Sequence, residues 1–122
     1  MKSGKLIFVY GTLKRGGSNH LYLRGQTFVG EARTVPGFRL YGLDGFPGMI
    51  ALAEDRAGVT GEVWSVSPEA LTHIDGLEGT AEGMYRRARI PLQAPFADQV
   101  VEGYLYARSL TGRPDLGSTW KE

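Results

Sequence analysis

The apolar run of residues 6–10, which ends at Gly11, constrains the fold more than any other stretch of this sequence. Five residues are too few for a globular helix, and the run is rich in residues that favour β-structure. Because the run contains no charged residue, it predicts a strand that is buried on both faces. Gly11 has no Cβ, so the chain can turn sharply there and leave the backbone amides of Thr12 and Leu13 free to meet a ligand.

Glycine and proline divide the chain into short segments. The 122 residues include 18 glycines and six prolines, and their spread predicts many turns and short strands rather than long helices. We predict six or seven strands, with clear patterns over residues 59–66, 85–92 and 100–107, a polar loop over residues 54–58, and no strand in the polar tail from residue 111. With one dependable helix, these segments predict the α+β class and a strongly curved or closed sheet.

The helix is predicted to begin after Ser67. Ser67 is a favoured N-cap residue, Pro68 suits the first helical position, and we expect Gly76 to end the helix. Asp75 and Glu78 then lie near its carboxyl end. Two interpretations stay open for these acids: solvated surface residues, or two carboxylates that face one pocket. If the Glu78 side chain turns inward, its proton affinity rises, and it can act as a general base and then as a general acid.

Composition excludes several classes of function. Fourteen Lys and Arg residues balance 13 Asp and Glu residues, so the formal net charge is +1, and we predict neither a nucleic-acid nor a membrane partner. The absence of cysteine removes thiolate catalysis, disulfides and zinc–thiolate sites. Residues 1–5 do not resemble the start of a signal peptide, and no apolar run approaches membrane-spanning length. We therefore expect one cytoplasmic domain over residues 1–122.

The loop after residue 10 allows two kinds of binding site besides a plain structural turn. Residues 11–18 differ by one residue from a phosphate-binding P-loop, which requires lysine where Gly17 stands. We therefore do not predict nucleotide binding. A cradle of backbone amides needs only the glycine and the strand end. His20 follows the loop, but His73 is far from it in sequence, so we predict no metal site.

Arginines and tyrosines in the later strands also have two interpretations each. Residues 85–89 contain three arginines, which strand alternation divides between two faces. This favours ion pairs with acidic residues over a nucleic-acid surface. Tyr104 and Tyr106 share a strand face, which suits either core packing or a pocket wall.

Three motifs, taken in order, resemble those of a known family. They are Tyr10-Gly11-Thr12-Leu13, Leu77-Glu78-Gly79 and Tyr85-Arg86-Arg87. Their combination is more specific than any one of them. The chain resembles the γ-glutamylcyclotransferase family, also called AIG2-like, over residues 5–107. The stretch over residues 10–16, with Asn19 and His20, is similar to the γ-glutamylamine cyclotransferase branch.

The resemblance implies a fold and a set of site residues. The fold would be a small mixed, mainly antiparallel β-barrel with a few short helices outside and a pocket at one end. The residues that would bind substrate are Tyr10, Gly11, Thr12 and Leu13, to which we add Tyr85 and Tyr106. The glutamate of the family's Glu-Gly pair is its catalytic acid/base, and that match falls on Glu78. Glu82, which also precedes a glycine, is a weaker rival.

The resemblance also implies an activity on a small γ-glutamyl substrate. The substrate's own α-amino group would attack its γ-carbonyl, close the ring of 5-oxoproline and expel an amine or amino acid. Such a reaction needs a carboxylate that moves a proton and donors for the oxyanion, but no cofactor or metal. The alternative is a non-catalytic module that binds a small ligand on the same fold. The leaving amine and the oligomeric state stay open.

Overall fold

The computed structural model describes residues 4–121. Met1, Lys2, Ser3 and Glu122, which include both ends of the predicted domain and most of the amino-terminal stretch considered above, lie outside the described residues. Within residues 4–121, neither helix is long and apolar enough to cross a membrane. The elements are β1 (Lys5–Val9), a 3₁₀ helix (His20–Leu23), β2 (Thr27–Arg33), β3 (Phe38–Gly42), β4 (Pro47–Ala51), β5 (Thr60–Val66), α1 (Pro68–Leu77), β6 (Tyr85–Arg89), β7 (Glu102–Tyr106) and β8 (Asp115–Gly117).

The strands form one mixed sheet in the order β2-β5-β1-β7-β4-β3-β8, and β6 also pairs with β7. Strand β7 runs parallel to β1 and β4, whereas the other strand pairs are antiparallel. Strand β2 is the first strand in this order. Beyond it, the Val35 amide donates a hydrogen bond to the Pro91 carbonyl, and the Gln93 amide donates one to the Arg33 carbonyl. These bonds join β2 to the segment after β6, so the sheet curls. The predicted α+β class and mixed, mainly antiparallel barrel are confirmed.

Strand β1 lies inside the sheet and is buried on both faces, as its apolar run predicts. Ile7 and Phe8 are both 0% exposed. Phe8 belongs to one core cluster, which includes Met49, and Ile7 belongs to a second cluster, which includes Ile74 of α1. The end of β1 is therefore fixed by packing from both sides.

Helix α1 begins where the sequence predicts but ends later. Ser67 is the N-cap, and its hydroxyl oxygen accepts a hydrogen bond from the Ala70 amide at 3.1 Å. The predicted end at Gly76 is wrong, because the helix continues to Leu77 and the left-handed glycine is Gly79, with φ of 67°. The Gly79 amide donates to the Gly76 carbonyl, which is one of the two bonds of a Schellman C-cap. This motif makes Glu78 the C-cap residue.

The tail contains a strand that the sequence analysis did not predict. Strand β8 pairs antiparallel with β3, and the Ser118 carbonyl accepts a hydrogen bond from the Thr60 amide at 2.9 Å. Trp120 packs against the core cluster that contains Phe8. The sequence around β8 is polar because the strand is short and half-exposed, so it carries no apolar pattern.

A buried carboxylate joins this tail to the sheet. Asp55 is 5% exposed, and its Oδ1 accepts hydrogen bonds from three backbone amides, those of Gly37, Ala57 and Gly58. Its Oδ2 pairs with Arg39 at 3.2 Å, and Arg39 also pairs with Asp115 of β8 at 2.8 Å. Burial alone would raise the pKa of Asp55, but the amides and Arg39 outweigh it and lower the pKa to about 2.

We expect Asp55→Asn to lower the Tm by several degrees at neutral pH, because Asn cannot accept from the same set of donors. The pKa of Asp55 is lowered on folding, so its stabilisation is present above its ordinary pKa of 3.8 and is lost as the pH falls towards 2. The difference in Tm between the wild type and Asp55→Asn should therefore become smaller as the pH falls from 3.8 towards 2. Thermal unfolding at a series of pH values measures it, with the exposed Asp98→Asn as control. A gap that is independent of pH would contradict the assignment.

Candidate active site

A cavity of about 360 Å³ lies at the carboxyl end of β1. Its walls come from the loop after β1, the turn before β4, the end of α1, the start of β6 and the middle of β7. The cavity brings together six of the seven site residues predicted from the sequence, and Tyr106 is the exception. Residues that line it include Tyr10, Gly11, Thr12, Leu13, Asn19, Phe46, Pro47, Leu77, Glu78, Met84, Tyr85 and Tyr104.

Backbone amides of the loop after β1 are available to a ligand. Among residues 4–121, no acceptor takes the amide hydrogens of Gly11, Thr12 or Leu13. The loop is nevertheless ordered, because Lys14 donates to the Gly11 carbonyl at 3.1 Å. Asn19 donates to Thr12 twice, from its backbone amide at 2.9 Å and from its side chain at 3.0 Å. Fixed amides of this kind suit a carboxylate or a developing oxyanion.

The outer side of this loop is braced by groups that do not line the cavity. Glu62 of β5 is buried and accepts hydrogen bonds from the Arg15 backbone amide at 3.1 Å and from Arg15 Nε at 3.0 Å. Trp64 Nε1 donates to the same carboxylate at 3.1 Å. Lys14 Nζ donates to the Trp120 carbonyl at 2.7 Å, so both the sheet and the tail hold the loop.

Two glycines of the loop are required by close contacts. A Cβ at Gly17 would overlap the carbonyl oxygen of Thr12, and a Cβ at Gly11 would lie 2.9 Å from Cγ of Pro47. Lysine therefore does not fit at position 17 without moving Thr12. The contact gives a physical reason why this loop is not a P-loop, as the sequence analysis concluded.

Tyr10 lines the cavity with its ring, whereas its hydroxyl belongs to the sheet. The hydroxyl donates to the Tyr104 carbonyl at 2.7 Å and accepts from the Met49 amide at 3.1 Å. Burial raises the pKa of Tyr10 well above its ordinary value, so the phenol stays neutral. Its hydroxyl therefore stabilises the sheet through these two hydrogen bonds and is not available to a ligand as a donor.

Glu78 is the carboxylate that faces the loop. It lies at the C-cap of α1, is half-buried and lines the cavity. Among the described residues, no hydrogen bond contributes to the proton affinity of its carboxylate. Burial, followed by the neighbouring charge of Asp75, raises the pKa of Glu78 to about 7. Glu82, the rival predicted from the sequence, is exposed and does not line the cavity.

Asp75 lies in a network beside Glu78. Its Oδ1 accepts a hydrogen bond from the Tyr104 hydroxyl at 2.6 Å and lies 3.2 Å from Arg87 Nε. Arg87 also pairs with Glu102 at 2.8 Å. Of the three arginines that the sequence analysis expected to form ion pairs, Arg87 does so among the described residues. Asp75 is thus held by strands β6 and β7.

Two tyrosines of the cavity wall can offer only acceptors to a ligand. Tyr85 donates its single hydroxyl hydrogen to the Pro47 carbonyl at 2.7 Å, and Tyr104 donates its own to Asp75. Their oxygens retain lone pairs. Tyr106 instead packs edge-on against Tyr85, with ring centroids 5.4 Å apart. Strand alternation placed Tyr104 and Tyr106 on one face but could not show that Tyr104 lines the cavity.

The two histidines do not line the cavity. His20 packs on Trp64, and its Nδ1 lies 3.0 Å from the Leu13 carbonyl, whereas His73 is exposed on α1. Within residues 4–121, no group of three or more His, Cys, Asp or Glu side chains is arranged to hold a metal ion. The polar groups that line the cavity therefore include a carboxylate, backbone donors and phenol acceptors, together with the side chains of Thr12, Ser18 and Asn19.

Known proteins are similar to this chain in sequence and in fold. The sequence model of a family described as "Gamma-glutamyl cyclotransferase, AIG2-like" matches residues 7–122. A Vibrio cholerae protein named provisionally as a gamma-glutamylcyclotransferase is 39% identical over 112 residues, which cover 92% of each chain. The gammaglutamylaminecyclotransferase of Rattus norvegicus is 36% identical over 94 residues, 71% of this chain and 62% of that protein. The crystal structure of a uropathogenic E. coli-specific protein matches with a TM-score of 0.78 and 29% identity, over 97% of this chain and 93% of that one.

We expect Gly17→Ala to displace Thr12, because the new methyl group would overlap its carbonyl oxygen. The free energy of unfolding should fall by about 1–3 kcal/mol, and the amide signals of Thr12 and Leu13 should shift in a ¹H–¹⁵N NMR spectrum. Gly16→Asn is the matched control, since Gly16 has φ of 83° in open space and Asn tolerates that conformation. Unmoved Thr12 and Leu13 signals in the Gly17 variant would contradict the prediction.

Proposed function

The chain belongs to the gamma-glutamyl cyclotransferase, AIG2-like family, and on this premise we propose that it releases 5-oxoproline from a γ-glutamyl amine, amide or amino acid. One observation carries the proposal. The half-buried carboxylate of Glu78 lines the same cavity as the unengaged amides of Thr12 and Leu13. This arrangement supports the proposal, because a ligand in the cavity could meet both a proton acceptor and donors for an oxyanion.

The substrate supplies its own nucleophile in this reaction. Its α-amino nitrogen forms a bond to the γ-carbonyl carbon, which closes the five-membered lactam, and the bond from that carbon to the leaving nitrogen breaks. The attacking nitrogen loses two protons as it changes from an ammonium group to the lactam N–H, and the leaving nitrogen gains two and departs as an ammonium ion. Glu78 would carry these protons one at a time, so the overall reaction needs no further acid or base. Holding the chain in its cyclic conformation contributes much of the rate, because the attack is intramolecular.

The two reacting parts of the γ-glutamyl group, its γ-carbonyl and its α-ammonium, would each have a suitable neighbour in the cavity. The amides of Thr12 and Leu13 would donate to the γ-carbonyl oxygen as negative charge develops on it. The oxygens of Tyr85 and Tyr104, which can only accept, would suit the donor hydrogens of the α-ammonium. Glu78 would then receive one of these hydrogens.

The leaving group would meet an apolar part of the cavity. Phe46, Leu77 and Met84 line it, and they pack on the core cluster that contains Trp64. An apolar wall accommodates the carbon chain of an alkyl amine. This surface, together with the similarity to the rat protein named gamma-glutamylaminecyclotransferase, favours small γ-glutamyl amines among the possible substrates.

We expect Glu78→Gln to abolish most of the turnover, by about 10²- to 10⁴-fold in kcat, because glutamine cannot accept the proton. The assay is the release of 5-oxoproline from a panel of γ-glutamyl amines, amides and amino acids, which also identifies the leaving group. Glu82→Gln is the matched control, because Glu82 is exposed, lies outside the cavity and carries the same charge.

Three outcomes of this assay are distinct. Loss of turnover in the Glu78 variant alone supports the assignment, provided that its Tm stays near that of the wild type. Unchanged 5-oxoproline release by that variant would remove Glu78 from the chemistry. A wild-type protein that binds γ-glutamyl compounds but releases no 5-oxoproline would be the non-catalytic binding module.

The pH dependence of kcat/KM gives a second test. Glu78 must be ionised to accept a proton, and its pKa is raised to about 7 by burial and by Asp75. We therefore expect kcat/KM to rise with pH through about 7 rather than through the ordinary glutamate value of 4.5. An acidic limb near 4.5 would show that Glu78 titrates as a solvated carboxylate or that another group governs the rate.

A further inference from the structure

The carboxylate of Asp75 is fixed beside Glu78 by two other elements. Residues three apart on a helix are neighbours on its surface, so Asp75 and Glu78 lie on one side of the end of α1. The Tyr104 hydroxyl, from β7, and Arg87 Nε, from β6, both contact Asp75 Oδ1, at 2.6 Å and 3.2 Å. Neither contact involves Glu78, so Asp75 is held independently of it.

Arg87 forms ion pairs with a second carboxylate besides Asp75. Its Nη1 pairs with Glu102 at 2.8 Å, and Glu102 also lies 3.5 Å from Lys5 Nζ. The guanidinium is thus shared between two carboxylates. A shared cation compensates each carboxylate less than a dedicated one, and part of the negative charge of Asp75 remains to act on its neighbours.

Among the described residues, the titratable groups that interact with Glu78 are three tyrosines and Asp75. Tyr10 at the end of β1, Tyr85 on β6 and Tyr104 on β7 all interact with Glu78, and burial raises the pKa of each tyrosine. These phenols are therefore uncharged at neutral pH. Among the described residues, Asp75 is the charged group whose field raises the proton affinity of Glu78.

We propose that Asp75, locked by Tyr104 and Arg87, is a positioning residue that favours the protonated form of Glu78 and so allows Glu78 to return a proton to the leaving amine. The inference rests on the proposed function. A solvated carboxylate binds a proton too weakly to share it at neutral pH, whereas a general acid/base works best when its proton affinity matches the operating pH. Asp75 also takes the hydroxyl hydrogen of Tyr104, which leaves that oxygen as an acceptor.

The central experiment removes the charge of Asp75 and keeps its shape. In Asp75→Asn, the amide oxygen can still accept from Tyr104, and Arg87 keeps Glu102 as a partner. We expect the pKa of Glu78, read from the ¹³C NMR titration of its carboxyl carbon, to fall by about 0.5–1 unit. The acidic limb of kcat/KM should move to lower pH by the same amount. Glu78→Gln assigns the carboxyl signal.

A second variant separates electrostatics from a loss of structure. Arg87→Gln removes a cation next to Asp75, so the pKa of Glu78 should rise. If Asp75 and Arg87 served only to hold the end of α1 in place, both variants would loosen it, expose Glu78 to water and lower its pKa. Shifts of opposite sign are therefore expected only from the proposed role. Glu69→Gln, at the exposed start of the same helix, is the control for net charge and should leave Glu78 unchanged.

The outcomes keep this inference apart from the proposed function, because the titration requires no turnover. Opposite shifts in a protein that releases no 5-oxoproline would support the role of Asp75 and overturn the proposed function. If turnover depends on Glu78 but neither variant shifts the pKa of Glu78, the proposed function would be supported and the role of Asp75 overturned. If Asp75→Asn does not fold, Arg87→Gln decides alone, and an unchanged or lowered pKa of Glu78 there overturns the inference.

Discussion

The hydroxyl of Tyr10 holds the sheet together at the point where its strands separate. Strand β7 pairs with β1 at Glu102 and Gly103, but with β4 at Leu105. Between these contacts the parallel ladder changes partner, and the Tyr10 hydroxyl fills the gap by linking the Tyr104 carbonyl to the Met49 amide. The opening between β1 and β4 that results from this change is the site of the cavity. The cavity therefore depends on a phenol that completes a backbone ladder and is unavailable for chemistry.

Glu78 owes its position to the glycine that follows it. Gly79 has φ of 67°, a conformation that favours glycine, and a Cβ there would lie 3.2 Å from Cβ of Met84, which is a tight contact. The second bond of the Schellman cap, from the Thr80 amide to the Asp75 carbonyl, ties the turn to the last turn of α1. A Glu-Gly pair at a helix end is thus a structural unit, in which the glycine reverses the chain and the glutamate remains beside the cavity.

Local patterns predicted the parts of this fold that local interactions determine. The apolar run of β1 and the Ser67-Pro68 helix start follow from residues close together in sequence. The number of short strands predicted a curved or closed sheet, whereas its mixed topology was implied only by the family resemblance. The features that the sequence analysis missed depend on distant partners. Strand β8 forms because β3 supplies its hydrogen bonds, and Asp55, in a loop predicted to be polar, is buried because Gly37 and Arg39 reach it. The site was predicted through its motifs, whereas the position of Tyr104 at the cavity required the fold.

The two halves of the site are held by residues that do not line the cavity, which suits an intramolecular reaction. The loop is braced by Glu62 of β5 and by the Trp120 carbonyl of the tail, through Arg15 and Lys14. The end of α1 is braced by Arg87. A substrate that carries its own nucleophile needs a fixed conformation more than it needs reactive protein groups. Rigidity supplied from outside the cavity leaves the backbone amides of Thr12 and Leu13 and the carboxylate of Glu78 free to contact a ligand.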